Sequence, residues 1–283
     1  MPWGAVAVFV TLACGLPWLV LAPVRSGEGL ADPRFVPLTL VMMYMPALAA
    51  VVVTFGLVRP VAPARFLGLA PVRPWRRFVR FALLALLAPP VIVALAALLG
   101  AAGGLVTLGT SPAQLTSLLL LPLQCLLVAV AAFGEELGWR GFLLPALRPL
   151  GTILSLLTSG VVWGLWHAPL ILLGYNYGQP NLSGLSLMVG FTVLVGVLLG
   201  WLRMQSASVW TCALAHGSTN ASAGVVLLAM ITGPQNINAS LLGWSGWVVV
   251  AIAIALVATV SRFRWADDVV TLGGTGPSGP LPR

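Results

Sequence analysis

LTSLLLLPLQCLLVAVAAFGEELGWRGFLLPA, residues 115–146, is apolar enough to lie in a lipid bilayer and yet carries Glu135, Glu136 and Arg140. Ionised side chains cost roughly 2.5–3.5 kcal/mol each at a bilayer centre, so three in one apolar run mark a functional site by default. The run is also too long for a simple span, at roughly 48 Å if wholly helical with a rise of about 1.5 Å per residue. It is predicted to tilt, to bend near Gly134 or to project past the membrane, with its charged end in the extra length.

The rest of the chain agrees with a membrane setting. Of 283 residues, 59% are hydrophobic and 7% charged, with a mean hydropathy of +1.04; soluble domains carry about 25% charged residues. The formal net charge of +8 comes entirely from arginine, since the chain has no lysine. This composition, rich in Ala, Gly and Pro, points to a bacterial source. Most arginines lie between apolar runs, where they act as topology signals. No aromatic–basic surface of the nucleic-acid-binding kind and no glycine-rich phosphate loop is visible, so nucleic acid is not expected as a partner. Cys14, Cys125 and Cys212 have no pair spacing and read as small packing residues.

A span needs about 20 mostly apolar residues, which yields eight runs: 3–23, 37–58, 81–103, 115–146, 152–173, 185–202, 206–231 and 240–260. The segment from Met1 to Val20 lacks a basic n-region and is as long as a span, so it reads as the first helix and not as a cleaved signal. The linker after the second run holds Arg59, Arg65, Arg73, Arg76, Arg77 and Arg80 and no acid, which makes it cytoplasmic. Alternating from there places Arg148, Arg203, Arg262 and Arg264 inside as well, and both termini in the cytoplasm. The fold class expected is all-α: a polytopic bundle of about eight transmembrane helices. It forms a single transmembrane domain over 1–265, with a core at about 115–231. A Gly/Pro-rich tail over 266–283 has nothing to bury and is expected to be disordered.

The chain has two histidines, His167 in the fifth run and His216 in the seventh, and both fall inside spans. Helical rise puts Glu136 about 16 Å, His167 about 18 Å and His216 about 15 Å from the cytoplasmic face, so three helices deliver polar groups to one level. Glu136 and Arg140 are four apart and share a helix face, whereas Glu135 is turned by about 100° from Glu136. Glu136 can then stay ionised beside Arg140 while Glu135 faces a cavity, where a carboxylate can serve as a general base. The competing reading makes all three charges one ion-pair brace. His216 and Asn220, again four apart, can project two donors toward an oxyanion; alternatively Asn220 simply bonds to a neighbouring helix. His167 lies in Trp163-Gly164-Leu165-Trp166-His167-Ala168-Pro169, between a helix-loosening proline and two large rings, where it can share a water with Glu135.

At these residues the chain resembles the CPBP family of intramembrane proteases, also called the ABI or CAAX prenyl protease-like family. A Glu-Glu-x-x-x-Arg block is present as Glu135 to Arg140, an aromatic-x-x-x-His block as Trp163 to His167, and a His-x-x-x-Asn block as His216 to Asn220. Trp163 departs from the phenylalanine more usual at the start of the second block, which bears on the shape of the pocket. The match covers about 115–231. The resemblance implies peptide-bond hydrolysis inside the membrane, with Glu135 and His167 activating a water, His216 and Asn220 stabilising the oxyanion, and Glu136 and Arg140 in support. The substrate would be a protein or peptide with a membrane-embedded or lipid-anchored segment, met within membrane lipid. Glu135, His167 and His216 also make a ligand set for Zn2+ of the thermolysin type. No His-Glu-x-x-His helix is present, and the balance leans to a metal-free, glutamate-activated water.

Two other function classes fit the same residues. Intramembrane Glu and His chains also serve as proton relays in transporters, although no paired broken helices or inverted halves are visible. A non-catalytic immunity or scaffold member of the same family is the third reading. Wherever the chain acts, its composition makes it an integral membrane protein, expected in the bacterial cytoplasmic membrane.

Overall fold

A computed structural model describes residues 3–70, 73–109, 112–226, 231–232, 237, 240–261 and 263–265. The apolar runs become helices because a backbone in lipid must satisfy its own N–H and C=O groups. In chain order the main ones are α1 (Trp3–Val20), α2 (Phe35–Val58), α3 (Trp75–Ala102), α4 (Leu121–Leu150), α5 (Thr152–Trp166), α6 (Leu182–Ser206), α7 (Val209–Val225) and α8 (Trp244–Ser261). A two-residue antiparallel pairing of Thr107–Leu108 with Ile231–Thr232 is the one strand contact among the described residues.

The all-α polytopic bundle stands, while the count of eight spans is not confirmed. Among the described residues six helices are long and apolar enough to cross a membrane: α1, α2, α3, α4, α6 and α8. Hydropathy alone overlooks where a helix stops. α5 ends at Trp166, and the chain turns at His167 into a four-residue helix, Ala168–Ile171, that starts with Pro169 near its N-terminus. α7 is 17 residues long and carries Thr, His, Ser and Asn among its small residues, so it is better suited to protein contacts than to lipid. The tail over 266–283 lies outside the described residues.

The long fourth run is interrupted, though not at Gly134. A separate helix, Pro112–Leu119, precedes α4, and Pro122 stands at the start of Leu121–Glu136. The helix then widens into a π-helical segment over Leu137–Leu143. Gly134 is needed for a different purpose. A side chain there would meet the carbonyl oxygen of Met43 at 2.6 Å, and one at Gly138 would meet the backbone of Pro46 at 2.8 Å. α2 breaks at Tyr44, and that kink rests on the two glycines of α4, the close backbone approach that small residues permit between membrane helices. Gly217 does the same on the other side, setting α7 against Ala129. The glutamate doublet is thus clasped between α2 and α7.

Candidate functional site

Glu135 and Glu136 are the last residues of regular α-helix before the π segment. With exposures of 3% and 0%, and 1% for Arg140, the three charges are inside protein and not in lipid. Segments of π-helix recur at functional sites, and here the widened turn presents Arg140 to the doublet. Arg140 Nη1 donates to Glu136 Oε1 at 2.8 Å, and His216 Nδ1 lies 2.9 Å from the same oxygen. Glu136 therefore holds a guanidinium from its own helix and an imidazole from α7.

Glu135 points elsewhere. Its Oε2 accepts from Trp163 Nε1 on α5 at 2.8 Å. His167, at the C-terminal cap of α5, has Nδ1 2.9 Å from the carbonyl oxygen of Trp163. A carbonyl only accepts, so Nδ1 carries the proton there, and Nε2 of the neutral ring keeps a lone pair. Arg140 lies over the face of Trp163 at 4.4 Å, and His216 meets the same ring edge-on at 5.2 Å.

Glu135, Trp163, His167, His216 and Asn220 line one cavity of about 280 Å³, whose other walls include Thr39 and Met43 of α2. Of the six residues singled out by sequence, four face this space: Glu135, His167, His216 and Asn220. Glu136 and Arg140 stand behind it. A second cavity of about 300 Å³ between α3, α6 and α8 is almost wholly apolar and shares Val195, Thr219 and Leu241 with the first.

Two side chains escaped sequence reasoning. Sequence marks Trp163 only as a bulky ring, whereas its indole N–H bonds to Glu135. By sequence Arg203 is a topology signal, yet it is fully buried at the end of α6. Its Nε donates to the carbonyl oxygen of Arg140 at 3.0 Å and its Nη2 to that of Phe66 at 3.1 Å. A π turn leaves carbonyl groups out of the regular ladder, and Arg203 satisfies the one on Arg140. The visible signal is an arginine one residue past the end of the apolar run 185–202, which the positive-inside rule absorbs without remainder.

The zinc set read from sequence fits this arrangement poorly. Among the described residues no three His, Cys, Asp or Glu side chains come together closely enough to hold a metal ion. His167 engages Nδ1 with its own helix and His216 engages Nδ1 with Glu136, which leaves Nε2 as the nitrogen each ring would offer a metal.

Fold and site together define a helical integral membrane protein with buried charges beside a largely apolar cavity into which a few polar groups project. Residues 114–222 match the family model described as type II CAAX prenyl endopeptidase Rce1-like. A curated relative, "CAAX prenyl protease 2" of Methanococcus maripaludis, is 30% identical over 91 residues, covering 30% of this chain and 33% of the relative. The chain thus matches about a third of that relative's length. The resemblance carried by the three sequence blocks is found independently, and the matched segment runs from just before α4 to Ser222 in α7.

Proposed function

We propose that the protein is an intramembrane endopeptidase, with its catalytic core within about 115–231. The observation that carries this reading is the shared cavity: Glu135, His167, His216 and Asn220 line it, while Glu136 is engaged behind it by Arg140 and His216. A water between Glu135 and His167 would lose a proton to the carboxylate, or to the free nitrogen of the imidazole, as it attacks the scissile carbonyl. A protonated His216 whose Nδ1–H donates to Glu136 keeps its Nε2–H for the oxyanion, beside the Asn220 carboxamide. Donors held in place by buried partners need not reorganise as that charge develops. With both carboxylates ionised, Arg140 and this His216 leave the cluster neutral.

The membrane setting and the name of the curated relative support one substrate class: a protein or peptide whose cleavage site is brought into the membrane by an apolar segment or a lipid anchor. The arginine-rich linker over 59–80 supports both termini in the cytoplasm, and the lysine-free composition rich in Ala, Gly and Pro supports a bacterial cytoplasmic membrane. The test uses purified protein in liposomes with two fluorogenic peptides, one with an apolar transmembrane segment and one with a prenylated C-terminus. Cleavage of either, lost by about 10²–10⁴-fold in Glu135→Gln, is the expected result. Equal turnover by the variant sinks the reading. Proton-linked flux without cleavage would instead favour a transporter, and a biological effect surviving Glu135→Gln a scaffold.

A further inference from the structure

Two adjacent glutamates on one helix, with one arginine a turn away, need something to decide which of them the arginine takes. Helical spacing alone does not, because Arg140 is five residues from Glu135 and four from Glu136, and the turn between them is π-helical. The indole of Trp163 separates the options physically. Its edge offers an N–H to Glu135 Oε2 at 2.8 Å, while its face lies under the Arg140 guanidinium at 4.4 Å. The ring is 2% exposed, so both contacts are made out of water, where cation–π and charge-assisted hydrogen bonds are strongest. On the same ring His216 rests edge-on at 5.2 Å, and the backbone carbonyl of this residue fixes the tautomer of His167. Four of the five ionisable groups therefore contact one residue.

We infer that Trp163 is a positioning residue that sorts the glutamate doublet, holding Glu135 toward the cavity by its indole N–H and directing Arg140 to Glu136 by its face. This deepens the endopeptidase reading and rests on it for its effect on turnover. Phenylalanine at this position would keep a face for Arg140 and lose the donor to Glu135. The N–H takes one carboxylate oxygen and leaves the other to accept from a water, in one orientation.

The experiment has two arms on the full-length protein in detergent micelles. In the first, the ¹⁵N-labelled indole signal of Trp163 is assigned by its loss in Trp163→Phe and followed in Glu135→Ala. We expect an upfield shift of its proton as the acceptor is removed; an unmoved signal overturns the inference whatever the protein's activity. In the second, Trp163 is replaced by benzothienylalanine, which has sulfur in place of N–H and nearly the same shape, so that loss of folding does not obscure the result. With the peptide cleaved by the wild type, kcat should fall about tenfold with KM within about twofold. Undiminished kcat, or a change confined to KM, overturns it. Failure of the wild type to cleave either peptide removes the endopeptidase reading while the first arm still decides the Trp163 contact.

Discussion

The segment over 114–222 and the three helices ahead of it differ in what they contribute to the same cavity. The first contains every charged side chain of the site and both histidines; the second brings no charged group to the site, yet helps to close it. Thr39 and Met43 of α2 line the cavity, and the α2 kink at Tyr44 sits on Gly134 and Gly138, one on each side of the doublet. Phe9 of α1 packs against Trp139 at 5.8 Å and Phe142 at 4.8 Å, both in the π segment. Chemistry-bearing residues and the walls that keep them from lipid are thus supplied by different parts of the chain. Motifs reveal only the former.

That division can be broken from either side. The largest effect on stability is expected inside the matched segment. Glu136→Ala leaves Arg140 and His216 buried without their shared acceptor, which should lower the unfolding free energy by about 3–5 kcal/mol in a denaturant titration. Next is the clasp from outside it. Gly138→Val drives a branched side chain into the Pro46 backbone and should cost about 1–3 kcal/mol. It should also lower turnover, although α2 holds no reacting group, and unaltered turnover would mean that α2 is only a neighbour. Thr39 offers a smaller test: its buried hydroxyl oxygen has no protein partner, so Thr39→Val should raise stability by about 1 kcal/mol, read as a higher thermal midpoint.

The smallest effect is at the loop between α1 and α2. The Arg34 side chain and backbone N–H both donate to Asp32, at 2.7–2.9 Å, and hold its carboxyl well below the usual carboxylate range. A carboxyl with a lowered folded-state pKa adds stability that is complete above its unfolded value of about 3.9 and is lost as pH falls through the folded value. Unfolding measured from neutral pH down to about pH 5 should show no contribution from Asp32 to pH dependence. Below that the wild type should weaken more steeply than Asp32→Asn.

Much of the site was legible because lipid makes charge conspicuous: Glu135, Glu136, Arg140, His167 and His216 stand out against apolar neighbours without any structure. Spacing put Arg140 within reach of the doublet, and the contact made is the i,i+4 one to Glu136, a choice that spacing alone does not settle across a widened turn. The π segment itself was invisible, because one extra residue per turn changes no residue type. The ends of α5 and α7 were blurred for a related reason: an averaged hydropathy window does not register the turn at His167. Trp163 and Arg203 depend on contacts across helices, and no periodicity within a run encodes a partner 28 or 63 residues away.

The central claim is that the doublet holds one working acid and one support. Turnover and thermal midpoint measured side by side for Glu135→Gln and Glu136→Gln test it most directly. The account predicts that Glu135→Gln loses turnover at an unchanged midpoint, while Glu136→Gln lowers the midpoint as well. Equal losses of midpoint in both variants, or a destabilised Glu135→Gln beside an intact Glu136→Gln, would contradict it.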